Sequence, residues 1–396
     1  MAKPVSFLVF AASVILVGIN LRPILASIGP LLDAVQAETR LSDVSASLLT
    51  TLPVAMMGIC LLATSRLRRM LGERWGVVVG IALIFIAALA RFTSPSGVQL
   101  LLSAVAGGIG IAVVQALIPI TIRRRAGPDA AALMGLYSTS IMGGALIASV
   151  TAPWFAKIWG WQVALSIWAL PALFGIFGWL ANEKQPATTV APPAANMHRQ
   201  PRAWALLVFF GLATGAYTLV LAWLPPFFTQ LGWTAQASGN ILGALTAAEV
   251  VAGLAVSASA HRTLDRRLAM FTALFLLLTG MMMLALAPLD FAWPAAICAG
   301  LGIGALFPLS LIVSMDHSDS AESAGAIIGF VQGGGYILAA TLPFTAGVIR
   351  ENLSDLTPAW WLMSGICVTL AIIASRFRPG DRVSTGHAIA VPAAAV

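Results

Sequence analysis

Residues 6–33 read SFLVFAASVILVGINLRPILASIGPLLD. Ahead of Asp33 this run holds a single charge, Arg22. It is long enough to cross the ~30 Å hydrocarbon core of a bilayer as a helix rising ~1.5 Å per residue. Its apolar residues are continuous, whereas a barrel strand would alternate them with polar ones. Within lipid, a helix satisfies its backbone hydrogen bonds inside the segment. Eleven further runs of this kind follow, at 44–64, 75–92, 97–120, 130–152, 161–181, 204–228, 238–259, 268–288, 292–314, 323–348 and 358–376. Hydrophobic residues make up 59% of the 396-residue chain and charged residues 9%, against about 25% charged in a typical globular protein. The composition excludes a soluble protein and predicts an all-α membrane protein of twelve transmembrane helices.

The net charge of +7 does not point to nucleic acid, because the basic residues fall in short clusters between apolar runs. With twelve spans both termini share one side. That side collects 17 of the 22 Lys and Arg residues, in clusters such as Arg66, Arg68, Arg69 and Arg74, then Arg123 to Arg125, then Arg262, Arg266 and Arg267. The other side holds three, Arg40, Lys157 and Arg350, while Arg22 and Arg91 lie in or at the end of spans. Basic loops stay in the cytoplasm, so both termini are expected there, in a multi-pass protein of a bacterial inner membrane. Arg91, at the outer end of the third span, reads as a snorkelling residue or a partner in an outer gate. The three cysteines show no paired spacing and the four histidines no ligand cluster, so neither metal nor cofactor is expected. No Ser-His-Asp set or carboxylate pair shares one membrane depth, so the chain is not expected to be an enzyme. His317, between Asp316 and Asp319, reads as part of a solvated turn.

The one long polar stretch inside the chain, Asn182 to Arg202, contains Pro186, Pro192, Pro193 and Pro201 and reads as a linker. The expected organisation is a six-helix bundle over 1–181, a linker over 182–203, a second six-helix bundle over 204–376 and a disordered tail over 377–396. The two bundles share motifs in the same order. Met142-Gly143-Gly144-Ala145 matches Gln332-Gly333-Gly334-Gly335, Gly108-Ile109-Gly110 matches Gly302-Ile303-Gly304, and Pro30-Leu31-Leu32 matches Pro226-Phe227-Phe228. Such repeats mark secondary transporters, whose substrate site lies between them near mid-membrane. The glycine runs Gly107-Gly108 with Gly110, and Gly333 to Gly335, lie inside apolar helices with no P-loop lysine, so they read as close helix packing.

Two six-helix bundles joined by such a linker resemble the major facilitator superfamily. The segment Arg66-Leu67-Arg68-Arg69-Met70-Leu71-Gly72-Glu73-Arg74 is similar to the loop that superfamily carries between its second and third helices, without the usual acidic residue ahead of the glycine. The resemblance implies a gating role for Gly72 and Arg74. A narrower likeness lies in Gly18-Ile19-Asn20-Leu21-Arg22-Pro23, which resembles the Asn-Leu-Arg-Pro signature of the cyanate permease and 2-nitroimidazole transporter family. Ala222-Trp223-Leu224-Pro225 and Gly160-Trp161 are similar to that family as well. This implies a monomeric transporter of small anions or small nitrogenous compounds.

Arg22 is the sharpest feature. A guanidinium at the centre of a span costs about 2.5 to 3.5 kcal/mol on insertion scales and does not give up its charge. It must face a wet cavity, a counter-ion or an anionic ligand, so two readings stand: an anion-binding arginine, or a buried ion pair locking the bundle. Glu249 is the one acidic residue well inside a span. It reads as a proton-coupling residue, as the counter-ion of Arg22, or as a polar lining group. Asn20, Gln115, Tyr137, Ser140, Thr214, Tyr217, Thr218, Asn240, Gln332 and Tyr336 are further candidates for ligand contact, against the plainer reading of interhelical hydrogen bonds. Trp223 reads as a cavity wall or an interface anchor. The expectation is a secondary transporter working by alternating access between two rocking bundles, its partners a small solute, the bilayer and a co-transported proton. The alternatives are efflux of neutral or cationic drugs, which Arg22 argues against, and a membrane sensor or scaffold built on a transporter-like fold.

Overall fold

The computed structural model describes residues 5–93, 96–182, 197–259, 265–318 and 321–383. Most of the expected linker, 183–196, and the tail beyond 383 lie outside the described residues. Among those described, twelve helices are long and apolar enough to cross a membrane. The first six are Phe7–Thr39, Asp43–Leu62, Arg66–Ala90, Gly97–Ala126, Ala132–Trp159 and Trp161–Leu180. The second six are Pro201–Gln230, Ala235–Ser259, Arg267–Leu286, Ala292–Asp316, Ala324–Leu353 and Thr357–Ser375. They form two six-helix bundles whose outer surface carries large apolar side chains such as Leu102, Phe174, Phe275 and Ile372. The seventh span starts at Pro201, where a proline at the first helical position gives up only an N–H that would have had no partner.

The first span is broken. A regular helix, Val5–Ile19, gives way at Asn20 to Arg22, resumes over Pro23–Ala26, and passes through a 3₁₀ turn, Gly29–Leu31, into Leu32–Thr39. The cause is Arg22-Pro23 followed by Gly29-Pro30: proline lacks the N–H of the ladder and disfavours helical geometry in the residue before it. The Ile28 N–H turns to the Leu25 carbonyl, so the Ile24 carbonyl has no partner in its own helix. Arg91 fills that place, with Nη1 donating to the Ile24 oxygen at 2.7 Å and Nε to Ser103 Oγ at 3.1 Å. Arg91 is 1% exposed, so it neither snorkels nor gates; it caps the break in the first span.

The segment expected as a loop, 66–74, also differs. It is helical as far as Leu71 and turns at Gly72, whose φ of 65° and ψ of 172° suit only a residue without a side chain. Glu73 then pairs with Arg68 at 2.7 Å and Arg124 at 2.9 Å. The carboxylate missing ahead of the glycine is thus supplied just after it. Arg74 donates to the Leu180 and Asn182 carbonyls at 2.7 Å each, satisfying the free end of the sixth span.

Helices in lipid gain nothing from hydrophobic exclusion, so they associate where backbones approach closely. A Cβ added at Gly144 would lie 2.1 Å from the Ile19 carbonyl oxygen, and one at Gly304 2.2 Å from that of Glu249. Gly29 against Leu221 and Gly58 against Gly333 make the same contact between bundles.

Call the face where the first span begins the terminal face and its opposite the distal face. The distal face is closed by polar contacts between bundles. Asp33 accepts from the Thr229 hydroxyl and from Arg350 at 3.2 Å, and Arg350 lies 3.5 Å from Asp43. Glu351 accepts from the Val44 N–H at 2.8 Å, and Gln236 donates to the Val150 carbonyl at 3.0 Å.

Two adjacent glycines separate packing from backbone freedom. Nothing lies within 4 Å of a Cβ built at Gly143, whereas Gly144 is pressed on the first span. Gly143→Ala should leave the thermal unfolding midpoint in detergent unchanged. Gly144→Ala should lower it, by the equivalent of roughly 1–3 kcal/mol of overpacking.

Candidate functional site

The break in the first span places Arg22 between the bundles. Four percent exposed, it sits at the head of a cavity of about 370 Å³, a volume suited to a small ligand. The cavity walls are the terminal halves of the fifth, eighth and tenth spans, including Met134, Ser138, Gly253, Ser257 and Phe307. It therefore leads to the terminal face, while the polar contacts described above close the distal end.

The chain has three tyrosines, and all three surround Arg22. The guanidinium carbon lies over the Tyr217 ring, 5.2 Å from its centroid, an attraction between cation and π-face. Tyr336 is within hydrogen-bonding reach of it and is itself held edge-on by Phe210, with ring centroids 5.4 Å apart. Tyr137 approaches from the fifth span. Arg22 Nη1 also lies 3.9 Å from Met57 Sδ in the second span. Four spans from both bundles thus hold one cation.

Several buried polar atoms here lack a hydrogen-bond partner. They are Arg22 Nε, both carboxylate oxygens of Glu249, the hydroxyls of Tyr137, Tyr217 and Thr214, and the amide oxygen of Gln115. Buried polar groups are almost always paired; six of these seven atoms belong to residues that line the cavity, and the seventh, the Tyr137 hydroxyl, stands beside Arg22. Glu249 lines the same cavity as Arg22 and is near enough to feel its charge, yet neither carboxylate oxygen is bonded to it. The arrangement offers one permanent positive charge, three phenolic hydroxyls and one carboxyl.

Other candidates lie elsewhere. Thr218 donates to the Ala339 carbonyl at 3.0 Å and joins the seventh span to the eleventh. Asn20 donates to the Leu16 carbonyl at 2.7 Å and the Pro171 carbonyl at 3.0 Å, tying the break to the sixth span. Trp223 is fully buried at the distal closure, donating to the Pro343 carbonyl at 2.8 Å with Arg350 5.5 Å from its ring centroid. Ser140 donates to the Tyr137 carbonyl and Asn240 accepts from Gln236. Gln332 is half-buried on the eleventh span, outside the cavity lining. Gly72 and Arg74 act within the first bundle, as described above. Sequence reasoning missed Met57, which carries no signal in the sequence. It also missed the distal contacts of Arg350, whose signal was an arginine on a side with few cations.

Residues 6–340 match the family model described as Major Facilitator Superfamily. The chain is 37% identical over 369 residues to the cyanate transport protein CynX of Escherichia coli strain K12, covering 92% of this chain and 96% of that one. It is 27% identical over 351 residues to the 2-nitroimidazole transporter of the same organism, covering 87% and 88%. In fold it is similar to the D-xylose-proton symporter, with a TM-score of 0.77 at 16% identity over 94% of this chain and 98% of that one. It is also similar to a bacterial homolog of the human lysosomal transporter Spinster, with a TM-score of 0.76 at 15% identity over 97% and 100%. Twelve apolar helices and the likeness to CynX make it a multi-pass protein of the inner membrane. With a family model spanning most of its length and a relative this similar across nearly all of it, the chain belongs to the major facilitator superfamily of secondary transporters.

Proposed function

We propose that the chain carries a small anion, cyanate-like in size and charge or a small nitrogenous compound of comparable size, and that Arg22 binds it. One observation carries this reading: the guanidinium at the head of the cavity is ringed by every tyrosine in the chain and bonded to no carboxylate. The likeness to the cyanate and 2-nitroimidazole transporters supports it. The terminal face, rich in Arg and Lys, is the cytoplasmic one by the distribution of charge. The cavity then opens inward, and the pairs of Asp33 and Asp43 with Arg350 form the outer closure. Membership of the superfamily supports a monomer as the working unit.

Glu249 supplies the coupling. Ionised, it competes with the substrate anion for Arg22; protonated, it leaves the guanidinium to the anion. Anion and proton then travel together, and the net charge of the cavity is the same before and after.

Arg22→Gln removes the cation and keeps two hydrogen-bonding groups. A hydrogen bond to a charged group is worth about 1.5–3 kcal/mol, so anion affinity should fall at least tenfold in a protein that still folds. A thermal-shift panel of cyanate, other small anions, carboxylates, nitroimidazoles and cationic drugs, run on both proteins, reads this directly. A small anion should stabilise the unmodified protein and not the variant. Neutral or cationic compounds stabilising both equally would favour drug efflux.

Glu249→Gln should still bind and exchange substrate, because the neutral amide stands in for the protonated acid. It should lose accumulation driven by a pH gradient in proteoliposomes. Accumulation at the normal rate would remove Glu249 from the coupling.

Arg350→Gln breaks two partly solvated ion pairs, each worth up to ~1 kcal/mol on the scale of surface pairs. It should therefore favour the state open on the distal face. A cysteine at Thr214 should then react with an impermeant maleimide from the periplasmic side about three- to tenfold faster than in the background with Arg350.

A further inference from the structure

A second cavity, about 250 Å³, lies at the terminal face, where the tenth span ends. Its walls are Arg266, Val313, Asp316, His317 and the chain that follows the twelfth span, Phe377 to Gly380 and Arg382. The expected disordered tail is not so up to Val383. That stretch folds back as a strap, with the Val383 N–H donating to the His317 carbonyl at 2.9 Å and Arg382 donating to the Asp316 carbonyl. Asp381 pairs with Arg202 of the seventh span at 2.9 Å, and Phe377 packs edge-on against Phe209 and His317.

His317 is not in a solvated turn. It is 3% exposed, with Nδ1 2.7 Å from the Val313 carbonyl and Nε2 without a partner. A carbonyl can only accept, so the proton sits on Nδ1, and Nε2 presents a lone pair to the cavity. Burial pushes the ring below the usual histidine range, against the opposing pull of the Val313 bond, so it is neutral at pH 7. Among the described residues the charged groups facing it are Arg202 from the seventh span, Asp316 from its own, and Asp381 from the strap. The cavity adds Arg266, Arg378 and Arg382. Asp316 takes Arg266 at 3.1 Å and Asp381 takes Arg202. Arg266, Arg378 and Arg382 thus line the cavity with Asp316, beside a buried acceptor that needs a proton donor.

We propose that this cavity binds a phosphoryl group bearing an acidic hydroxyl, either hydrogen phosphate or the phosphomonoester headgroup of a lipid at the membrane surface. The arginines meet its charge, and the P–OH donates to His317 Nε2. Sulfate and phosphodiesters match the charge and lack that proton. Because the tenth span also lines the central cavity, an occupied site ties that span to the strap and the seventh span, a lever on transport from outside the substrate path.

The test uses the full-length protein in neutral detergent, followed by its thermal midpoint and by titration calorimetry. One arm adds inorganic phosphate or sulfate; the other adds phosphatidic acid or phosphatidylglycerol to the micelles. Phosphate or phosphatidic acid should stabilise the protein, and sulfate and phosphatidylglycerol should bind at least tenfold more weakly. The arm that responds at the lower concentration identifies the source. A phosphomonoester loses its second proton near pH ~6. Affinity for phosphatidic acid should therefore fall from pH 6 to pH 8, by up to about tenfold per unit, since one proton is bound with the ligand. Arg378→Gln, at an exposed position, should fold normally and raise the apparent Kd at least fivefold. His317→Phe should abolish the preference for phosphate over sulfate. Equal binding of phosphate and sulfate in all three proteins, or no response to phosphate and phosphatidic acid at millimolar concentration, would overturn the proposal.

Discussion

A charge that cannot be discharged, placed in the middle of a membrane, organises this molecule. Arg22 carries its positive charge in every state of the transport cycle. The bilayer tolerates it only where protein or water takes the place of lipid. The fold answers by breaking the helix that carries it, surrounding it with three phenol rings and a thioether, and leaving it at the head of a cavity. The break itself depends on a second buried arginine. Arg91 caps the Ile24 carbonyl, which the Ile28 N–H has left for Leu25 at the break, so one cation faces the cavity and the other holds the backbone that positions it. The two residues share a chemistry and differ in what they face: one meets a carbonyl fixed by its own bundle, the other a space shared between bundles.

Close backbone approach at glycine then sets the cavity's shape. Gly304 presses on the backbone of Glu249 and Gly144 on that of Ile19, just before the break. The backbone that carries Arg22 and Glu249 is thus held by contacts with little room for adjustment. Between the bundles, glycine contacts such as that of Gly29 on Leu221 are joined by ion pairs. These lie on the distal face, around the half-buried Arg350.

Much of this was legible in the sequence. Continuous apolar runs specify helices in lipid, so the twelve spans followed from length and hydropathy. Arg22 and Glu249 stood out because charged groups are rare and costly at that depth; the three tyrosines were among ten weaker polar candidates, and the fold brings all five together. What misled was local pattern without tertiary context. Arg91 sits at a span end, where arginines usually reach for water; only the Ile24 carbonyl left open at the break in another helix explains its burial. His317 is flanked by aspartates in a polar segment, and its burial depends on a strap from the twelfth span, far away in sequence. Thr218 and Trp223 have polar groups of the right kind for a ligand, yet a carbonyl of the eleventh span satisfies each. No feature of their own helix announces that.

The account rests on the anion meeting Arg22, and a heavy analogue tests it most directly. Crystals of the full-length protein soaked in selenocyanate would give an anomalous selenium signal. The ligand should lie in the central cavity within hydrogen-bonding distance of the Arg22 guanidinium, flanked by Tyr217 and Tyr336. A signal away from Arg22, with its guanidinium instead closed on the Glu249 carboxylate, would contradict the account and make Arg22 a structural ion pair.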